Sequence, residues 1–213
     1  YLEEIGLEHA ADIIQEMDAD DAVDLLEEMD DDKRKQLIDL MDKEYQDDIR
    51  LISSYKDDQI GSKMTTHYVE IRRNLTVKQA MRSLIAQAEE NDNISTIYVC
   101  DDDDTYYGAI ALKDLIIARD YVDLDSLISQ SFPYVRASEE IDECIERLKD
   151  YAEDSIPVLD DDDKLIGVIT SQEIIEVVDD EMGEDYAKLA GLTAEEDLNE
   201  KLSDSMKKRL PWL

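Results

Sequence analysis

Carboxylates recur at helical spacing near residue 175, and they are the clearest candidates for metal chemistry in this sequence. Glu173, Glu176, Asp180 and Glu184 follow one another at intervals of three and four residues, which places them on one face of a helix. Like charges at this spacing destabilise a helix unless a cation lies beside them. Carboxylate oxygens are also the ligands that hard divalent cations prefer. The pattern predicts a cation-binding face, with an ordinary solvated face as the alternative.

The whole chain has the same acidic character. Its 213 residues include 57 Asp and Glu against 22 Lys and Arg, a formal charge of −35. Such a charge repels nucleic acid and anionic lipid, and it favours cationic ligands. We therefore expect no nucleic-acid partner.

Residue types that carry catalysis are sparse. The histidines, His9 and His67, have no accompanying nucleophile motif, and neither a Gly-rich phosphate loop nor a zinc-ligand spacing occurs. Cys100 and Cys144 lie in apolar patterns, which predicts reduced core thiols. No run of about 18 apolar residues is present, so no transmembrane helix is expected within these residues. We expect a binding or regulatory protein and not an enzyme.

The elements that position the first part of the chain come from a 12-residue repeat over residues 8–52. Three sets of residues align at this period: Ile13, Leu25, Leu37 and Ile49; Met17, Met29 and Met41; Asp18, Asp30 and Asp42. Each unit predicts one short amphipathic helix, with the Asp as N-cap of the next. Because one such helix cannot bury its apolar face alone, the units are expected to stack into a small α-solenoid over residues 1–56. A helical bundle is the alternative. On the second helix, Asp20 and Asp24 are expected to lie away from the apolar face.

A longer repeat follows the helices. Strands are predicted at 97–99 and 156–158, each followed by four Asp, with return strands at 106–110 and 165–169. Thr76 and Gln79 have capping-box spacing and open a helix before the first hairpin, with Ala80, Met81, Leu84 and Ile85 expected to point inward. A further helix follows each hairpin. The unit is therefore β-α-β-β-α, present twice, and the Asp-rich turns are expected to be ordinary solvated turns.

This unit resembles the CBS domain. The segments GAIALKDL (108–115) and GVITSQEI (167–174) are similar to the G-h-h-[ST]-x-x-[DE]-h signature of that family, and SIPV (155–158) resembles its strand. The resemblance implies a side-by-side pair, with CBS domain 1 at 57–122 and CBS domain 2 at 123–180. The expected fold class is α+β, a small all-α superhelical domain followed by a tandem CBS pair and a C-terminal linking helix.

CBS pairs that bind adenine nucleotides use the [ST] hydroxyl and the following acid, so the resemblance implies Thr170 and Asp114 as nucleotide contacts. Ala111 takes the hydroxyl position in the first repeat, which weakens this expectation. An EF-hand count from Asp162 fails because Lys164 and Ile166 occupy ligand positions. A soluble adenine-nucleotide sensor remains the alternative function, whereas an acidic Ca²⁺ buffer is disfavoured.

The C-terminal part points to a membrane neighbour. Three basic residues at 207–209 precede Trp212 in a chain otherwise dominated by acids, an order typical of a cytoplasmic flank beside a bilayer. The order of these elements resembles that in the cytosolic part of MgtE-family magnesium transporters. It consists of a helical repeat, a CBS pair, an acidic helix that leaves the pair, and a basic C-terminal segment. The sequence EMGED (181–185) looks like that family's E-x-x-E-D at the head of a linking helix, here 181–213, which leads to a membrane domain absent from this chain.

The MgtE resemblance implies a Mg²⁺-sensing regulatory region at the cytoplasmic face of the cell membrane. It also implies a homodimer through the CBS pairs and a C-terminal transmembrane pore domain as partner. ATP as a second, modulating ligand is kept as an alternative, on the CBS resemblance described above. In this view Mg²⁺ bridges acidic surfaces and favours a compact closed state, and low Mg²⁺ opens the pore. The implied metal ligands are Glu173, Glu176, Asp180, Glu181, Glu184, Asp185, Asp142, Asp20 and Asp24.

Overall fold

The first part of the chain is a stack of four short helices. The structure is a computed structural model that describes residues 6–89, 91, 93–149 and 153–179, without the side chains of 145, 146, 148 and 149. Each helix begins 12 residues after the one before, and the bounds are α1 (Leu7–Ile14), α2 (Ala19–Glu27), α3 (Asp31–Leu40) and α4 (Lys43–Ile52). Alternate helices pack together, α1 on α3 and α2 on α4. This arrangement confirms the predicted superhelical stack.

Apolar side chains at the repeat positions form the core of this helical domain. Buried residues come from all four helices and include Ile14, Leu26, Leu37, Ile49 and Ile52. The Tyr45 hydroxyl lies 2.8 Å from the carbonyl oxygen of Ile14 and 3.0 Å from that of Met17. It thereby satisfies backbone groups at the end of α1, which have no partner within the helix.

The repeated Asp residues lie at the N-cap positions, but their side chains make no capping hydrogen bonds. Asp42 and Gln15 instead bond each other twice: the Gln15 amide donates to Asp42 Oδ2, and the Asp42 N–H donates to Gln15 Oε1, each at 2.9 Å. The position of each Asp is therefore as predicted, whereas its hydrogen-bonding partner is not.

Two β-α-β-β-α units follow, and they confirm the predicted repeat. The first contains β1 (Tyr68–Arg72), α5 (Val77–Gln87), β2 (Asn93–Cys100), β3 (Tyr106–Ala111) and α6 (Leu112–Ile117). The second contains β4 (Val135–Arg136), α7 (Ile141–Lys149), β5 (Ser155–Leu159), β6 (Leu165–Thr170) and a helix over 171–179, α8. In each sheet the central strand, β2 or β5, pairs in parallel with the first strand and antiparallel with the third.

The two units exchange backbone pairings at their edges. The N–H groups of Thr65 and Val168 each donate to the other's carbonyl, at 2.8 and 2.9 Å, and Ser129 pairs in the same way with Ala109. The segment that precedes each unit therefore pairs with the last strand of the other. The glycine of each signature permits this approach, because a Cβ on Gly108 would lie 2.6 Å from the Ser129 carbonyl oxygen.

Each Asp-rich turn is held by an arginine. Asp104 and Asp163 have positive φ values of 68° and 61°, a conformation that Asp tolerates better than most residues. Arg72 donates to the Asp101 carbonyl and to the Asp104 carboxylate, and Arg136 makes the same two contacts in the second turn. These turns are therefore partly neutralised.

Two further expectations concern the core. Cys100 and Cys144 are buried free thiols, and burial raises their pKa values to about 12 and about 11. The prediction that Ile85 points inward is wrong, because its side chain is 64% exposed, while Ala80 and Leu84 on the same helix are buried.

Within the ranges given above, no helix is both long and apolar enough to cross a bilayer. The predicted linking helix lies outside the described residues.

Candidate metal site at the domain junction

Helix α2 of the helical domain meets the β-α-β-β-α pair through opposite charges. Asp18 precedes α2, and its Oδ1 lies 3.1 Å from Nδ1 of His67, just before β1. Six residues farther along the chain, within α2, Asp24 Oδ2 lies 3.3 Å from Nζ of Lys63. Hydrogen bonding to His67 is the largest cause of a lowered pKa of the Asp18 carboxyl group. These contacts hold the N-terminal end of α2 against the second part of the chain.

Between these two acids, Asp20 is buried and incompletely hydrogen-bonded. Its side chain is 9% exposed, and its Oδ1 has no hydrogen-bond partner. Burial raises the pKa of Asp20 to about 6, and the negative charges of Asp21 and Asp18 contribute to the increase. The sequence predicted that Asp20 lies away from the apolar face of α2, and the structure shows in addition that its side chain is hardly exposed to solvent.

Glu173, at the start of α8, is the second carboxylate of this site. The pKa of Glu173 is raised to about 7, chiefly by burial, and the charges of Asp20 and Asp18 contribute to the increase. The Thr170 N–H donates to Glu173 Oε2 at 2.7 Å, and the Thr170 hydroxyl donates to the same oxygen. Asp20 and Glu173 therefore oppose each other electrostatically across the junction.

The chemistry of this pair fits a hard cation. Both side chains offer carboxylate oxygens, both are disfavoured as anions, and Asp20 Oδ1 lacks a donor. Over the described residues, no group of three or more His, Cys, Asp or Glu side chains is placed to hold a metal ion. Mg²⁺ keeps several waters and is often bound through one or two carboxylates. Two carboxylates and water are thus a sufficient donor set.

The other predicted metal ligands that the structure describes have surroundings of their own. Asp24 is paired with Lys63, Asp142 is exposed on α7, and Glu176 is exposed on α8. Asp180, Glu181, Glu184 and Asp185 lie outside the described residues. The charges of Asp20 and Glu173, two of the predicted ligands, interact. The remaining ligands stay predictions.

The predicted nucleotide contacts lie in different units. Thr170 ends β6 of the second unit, where its hydroxyl bonds Glu173. Asp114 lies on α6 of the first unit and lines a cavity of about 490 Å³ with Ile117 and Tyr121. Ala111, at the N-cap of α6, makes no side-chain hydrogen bond.

The two basic side chains at the junction, Lys63 and His67, were not predicted from the sequence. Lys63 and His67 approach the acids of α2 across 39 and 49 residues of sequence, and no local spacing indicates such pairs. Beside them, a cavity of about 310 Å³ is lined by His67, Asp48 and Thr66, among others. Burial raises the pKa of Asp48.

Comparison with known families divides the chain in two. The family model described as the MgtE intracellular N domain matches residues 1–58. The CBS domain model matches residues 58–121 and 124–180. Together these models cover both the helical domain and the β-α-β-β-α pair.

Similar proteins include two bacterial magnesium transporters named MgtE. The protein from Enterococcus faecalis is 36% identical over 166 residues, which are 78% of this chain and 36% of that protein. The protein from Thermus thermophilus is 29% identical over 145 residues, 68% of this chain and 32% of that protein. The chain thus spans about a third of the length of these relatives.

Two solved structures share this architecture. One is the soluble part of a magnesium transporter, with 34% identity, a TM-score of 0.80, and coverage of 85% of this chain and 71% of that chain. The other is the cytosolic domain of the Mg²⁺ channel MgtE in complex with ATP, with 27% identity, a TM-score of 0.73, and coverage of 83% and 77%.

Proposed function

The chain belongs to the MgtE family, and from this premise we propose that it is the Mg²⁺-sensing regulatory region of a magnesium transporter. The observation that carries the proposal is the pair Asp20 and Glu173: Asp20 is buried with an unpartnered Oδ1, and its charge interacts with that of Glu173 in the second CBS domain. Asp20 and Glu173 would hold the ion. The transport pore would belong to a membrane domain outside this chain, at whose cytoplasmic face the chain would lie.

Bound Mg²⁺ would supply positive charge between the two carboxylates and so remove their mutual repulsion. Without it, Asp20 and Glu173 oppose docking of α2, while the pairs Asp18–His67 and Asp24–Lys63 favour docking. The junction is thus held by two ion pairs and opposed by one buried like-charged pair. The equilibrium between the docked and undocked forms of the helical domain can therefore respond to the cation concentration.

The free energy needed to switch between the docked and undocked forms requires more than one Mg²⁺ site. A single site at tenfold excess of ion over its Kd stabilises the docked form by about 1.4 kcal/mol. Reversal of a two-state equilibrium from about 1:99 to 99:1 needs roughly 5.5 kcal/mol. We therefore propose that the acids at 180–185, with Glu176, form further sites that act together with the Asp20–Glu173 site to close the pore when Mg²⁺ is abundant.

A homodimer through the CBS pairs would double the number of sites. Exposed apolar side chains support this proposal: Ile116 and Ile117 on α6 are 61% and 72% exposed, and Tyr121 is 81% exposed. Large apolar side chains on a contiguous surface are typical of protein interfaces. Light scattering of the wild type and of Ile117→Glu tests this, with a dimer expected for the wild type and a shift to monomer for the variant.

The Mg²⁺ proposal is tested by limited trypsin digestion. Lys56 lies in the exposed segment between α4 and β1, so cleavage after Lys56 reports opening of the junction. We expect Mg²⁺ in the millimolar range to protect this bond, and Na⁺ at matched ionic strength to give no protection. Asp20→Asn is expected to abolish the Mg²⁺ dependence, while Asp39→Asn, on the exposed face of α3, retains it. Equal cleavage at all Mg²⁺ concentrations contradicts the proposal.

A second ligand, adenine nucleotide, is favoured by one observation. The MgtE cytosolic domain that is 27% identical to this chain was solved with ATP. Thr170 and Asp114 are the contacts predicted for it here. Calorimetric titration with ATP tests this, and Asp114→Ala is expected to abolish the binding heat. An absence of heat in the wild-type chain contradicts nucleotide binding.

A further inference from the structure

We propose that Thr170 is a positioning residue for the cation site, because its backbone N–H and its hydroxyl hold the Glu173 carboxylate in place. The inference rests on the proposed function, since it concerns the same two carboxylates. It assigns a role to a side chain that does not itself contact the ion.

Three hydrogen bonds join Thr170 and Glu173. The Thr170 N–H and hydroxyl both donate to Oε2 of Glu173, and the Glu173 N–H donates back to the Thr170 hydroxyl oxygen at 3.4 Å. Two donors on one oxygen fix the rotation of the carboxylate about its last torsion. A carboxylate has about four acceptor sites, so Oε2 can be held while Oε1 still serves a cation.

The first CBS domain provides an internal comparison. At the position of Thr170 it has Ala111, which makes no side-chain capping bond to α6. The strand-to-helix turn is therefore compatible with alanine, and Thr170→Ala is expected to fold. The hydroxyl is present in the repeat whose acid interacts with the helical domain, and this agrees with a role at the junction.

A purely structural role is the competing explanation, because a Thr with Glu three residues later also forms a helix-capping box. The chain contains a matched control for it. Thr76 and Gln79 form a capping box at the start of α5, and this box has no charged residue of α2 among its partners. Thr76→Ala removes the same type of contact away from the cation site.

The experiment compares the Mg²⁺ midpoint for protection of the Lys56 bond with the melting temperature of each variant. Thr170→Ala is expected to raise the midpoint by about three- to tenfold, the range for the loss of one hydrogen bond of ordinary strength. Thr170→Ser restores the hydroxyl and is expected to restore the midpoint. Thr76→Ala is expected to lower the melting temperature and leave the midpoint unchanged.

The outcomes separate the two proposals. A wild-type response to Mg²⁺ that Thr170→Ala leaves unchanged overturns the positioning role alone, as does an equal shift of the midpoint in Thr76→Ala. A wild-type chain with no Mg²⁺ response overturns the proposed function and the positioning role with it.

Discussion

The phenol oxygen of Tyr98 lies 2.6 Å from the hydroxyl oxygen of Ser155 and joins the central strands of the two CBS domains. Both residues are buried, and the Tyr98 ring packs edge-on against Tyr68 and Phe132. Burial also raises the pKa of the Tyr98 phenol, so this hydroxyl stays protonated. The hydrogen bond therefore fixes one CBS domain relative to the other.

Removal of one partner should destabilise the CBS pair. Tyr98→Phe leaves the Ser155 hydroxyl buried without its partner, at a cost of about 1–2 kcal/mol. In a double-mutant cycle, Ser155→Ala is expected to cost much less in the Tyr98→Phe background than in the wild type. Urea unfolding measures the four free energies, and additive costs contradict the predicted bond.

The two signature glycines should differ in their tolerance of alanine. A Cβ on Gly108 meets the Ser129 carbonyl oxygen at 2.6 Å, whereas a Cβ on Gly167 meets the Met64 sulfur at that distance. Backbone cannot yield as a methionine side chain can. Gly108→Ala is therefore expected to lower the free energy of unfolding by about 1–3 kcal/mol, and Gly167→Ala by less. Urea unfolding measures both losses of free energy. Equal losses, or a larger loss for Gly167→Ala, contradict this prediction.

These elements also indicate what the sequence could predict. The 12-residue repeat and the paired CBS signatures were sufficient for the architecture, because helix and strand formation depend on local spacing. The burial of Asp20 and the pairing of Asp18 with His67 depend on how α2 meets a domain about 50 residues away in sequence. Helical periodicity placed Asp20 on a polar face, and it carried no information about what covers that face.

Docking of the helical domain should strengthen as the pH falls, in the absence of Mg²⁺. The pKa of Asp20 is raised to about 6 and that of Glu173 to about 7, so the docked form binds protons more tightly than the undocked form. Their contribution is complete below the ordinary carboxyl pKa and is lost as the pH rises through about 6 to 7.

The effect is on the order of 3 kcal/mol for Asp20. Asp20→Asn removes the charge at every pH, so it should flatten this dependence and protect the Lys56 bond at about pH 8. Trypsin is inefficient under acidic conditions, and chemical denaturation across the same pH range serves as a second readout. A variant with the pH profile of the wild type contradicts the assignment to Asp20.

His67 should contribute a second, separable pH dependence at the same junction. Only the imidazolium form pairs fully with the Asp18 carboxylate 3.1 Å away, and Asp18 stays charged because His67 lowers its pKa. The other acidic groups near His67 are Asp48, Glu44 and Asp42 around the adjoining cavity. The charge of the Asp18–His67 pair therefore depends on protonation of the imidazole.

His67→Gln is expected to weaken docking about two- to fivefold at about pH 6, the range of a partly exposed ion pair, and to change it less at about pH 8. His9→Gln, on the exposed face of α1, is the matched control, and it should leave docking unchanged at both values. Hydrogen exchange of the α2 amides measures docking without a protease. Asp20 and Glu173 are present in all three proteins, so their protonation affects docking equally in each. The difference between wild type and His67→Gln therefore measures the contribution of the imidazole to docking. An equal loss of docking at both pH values assigns His67 a packing role and contradicts the charge-dependent one.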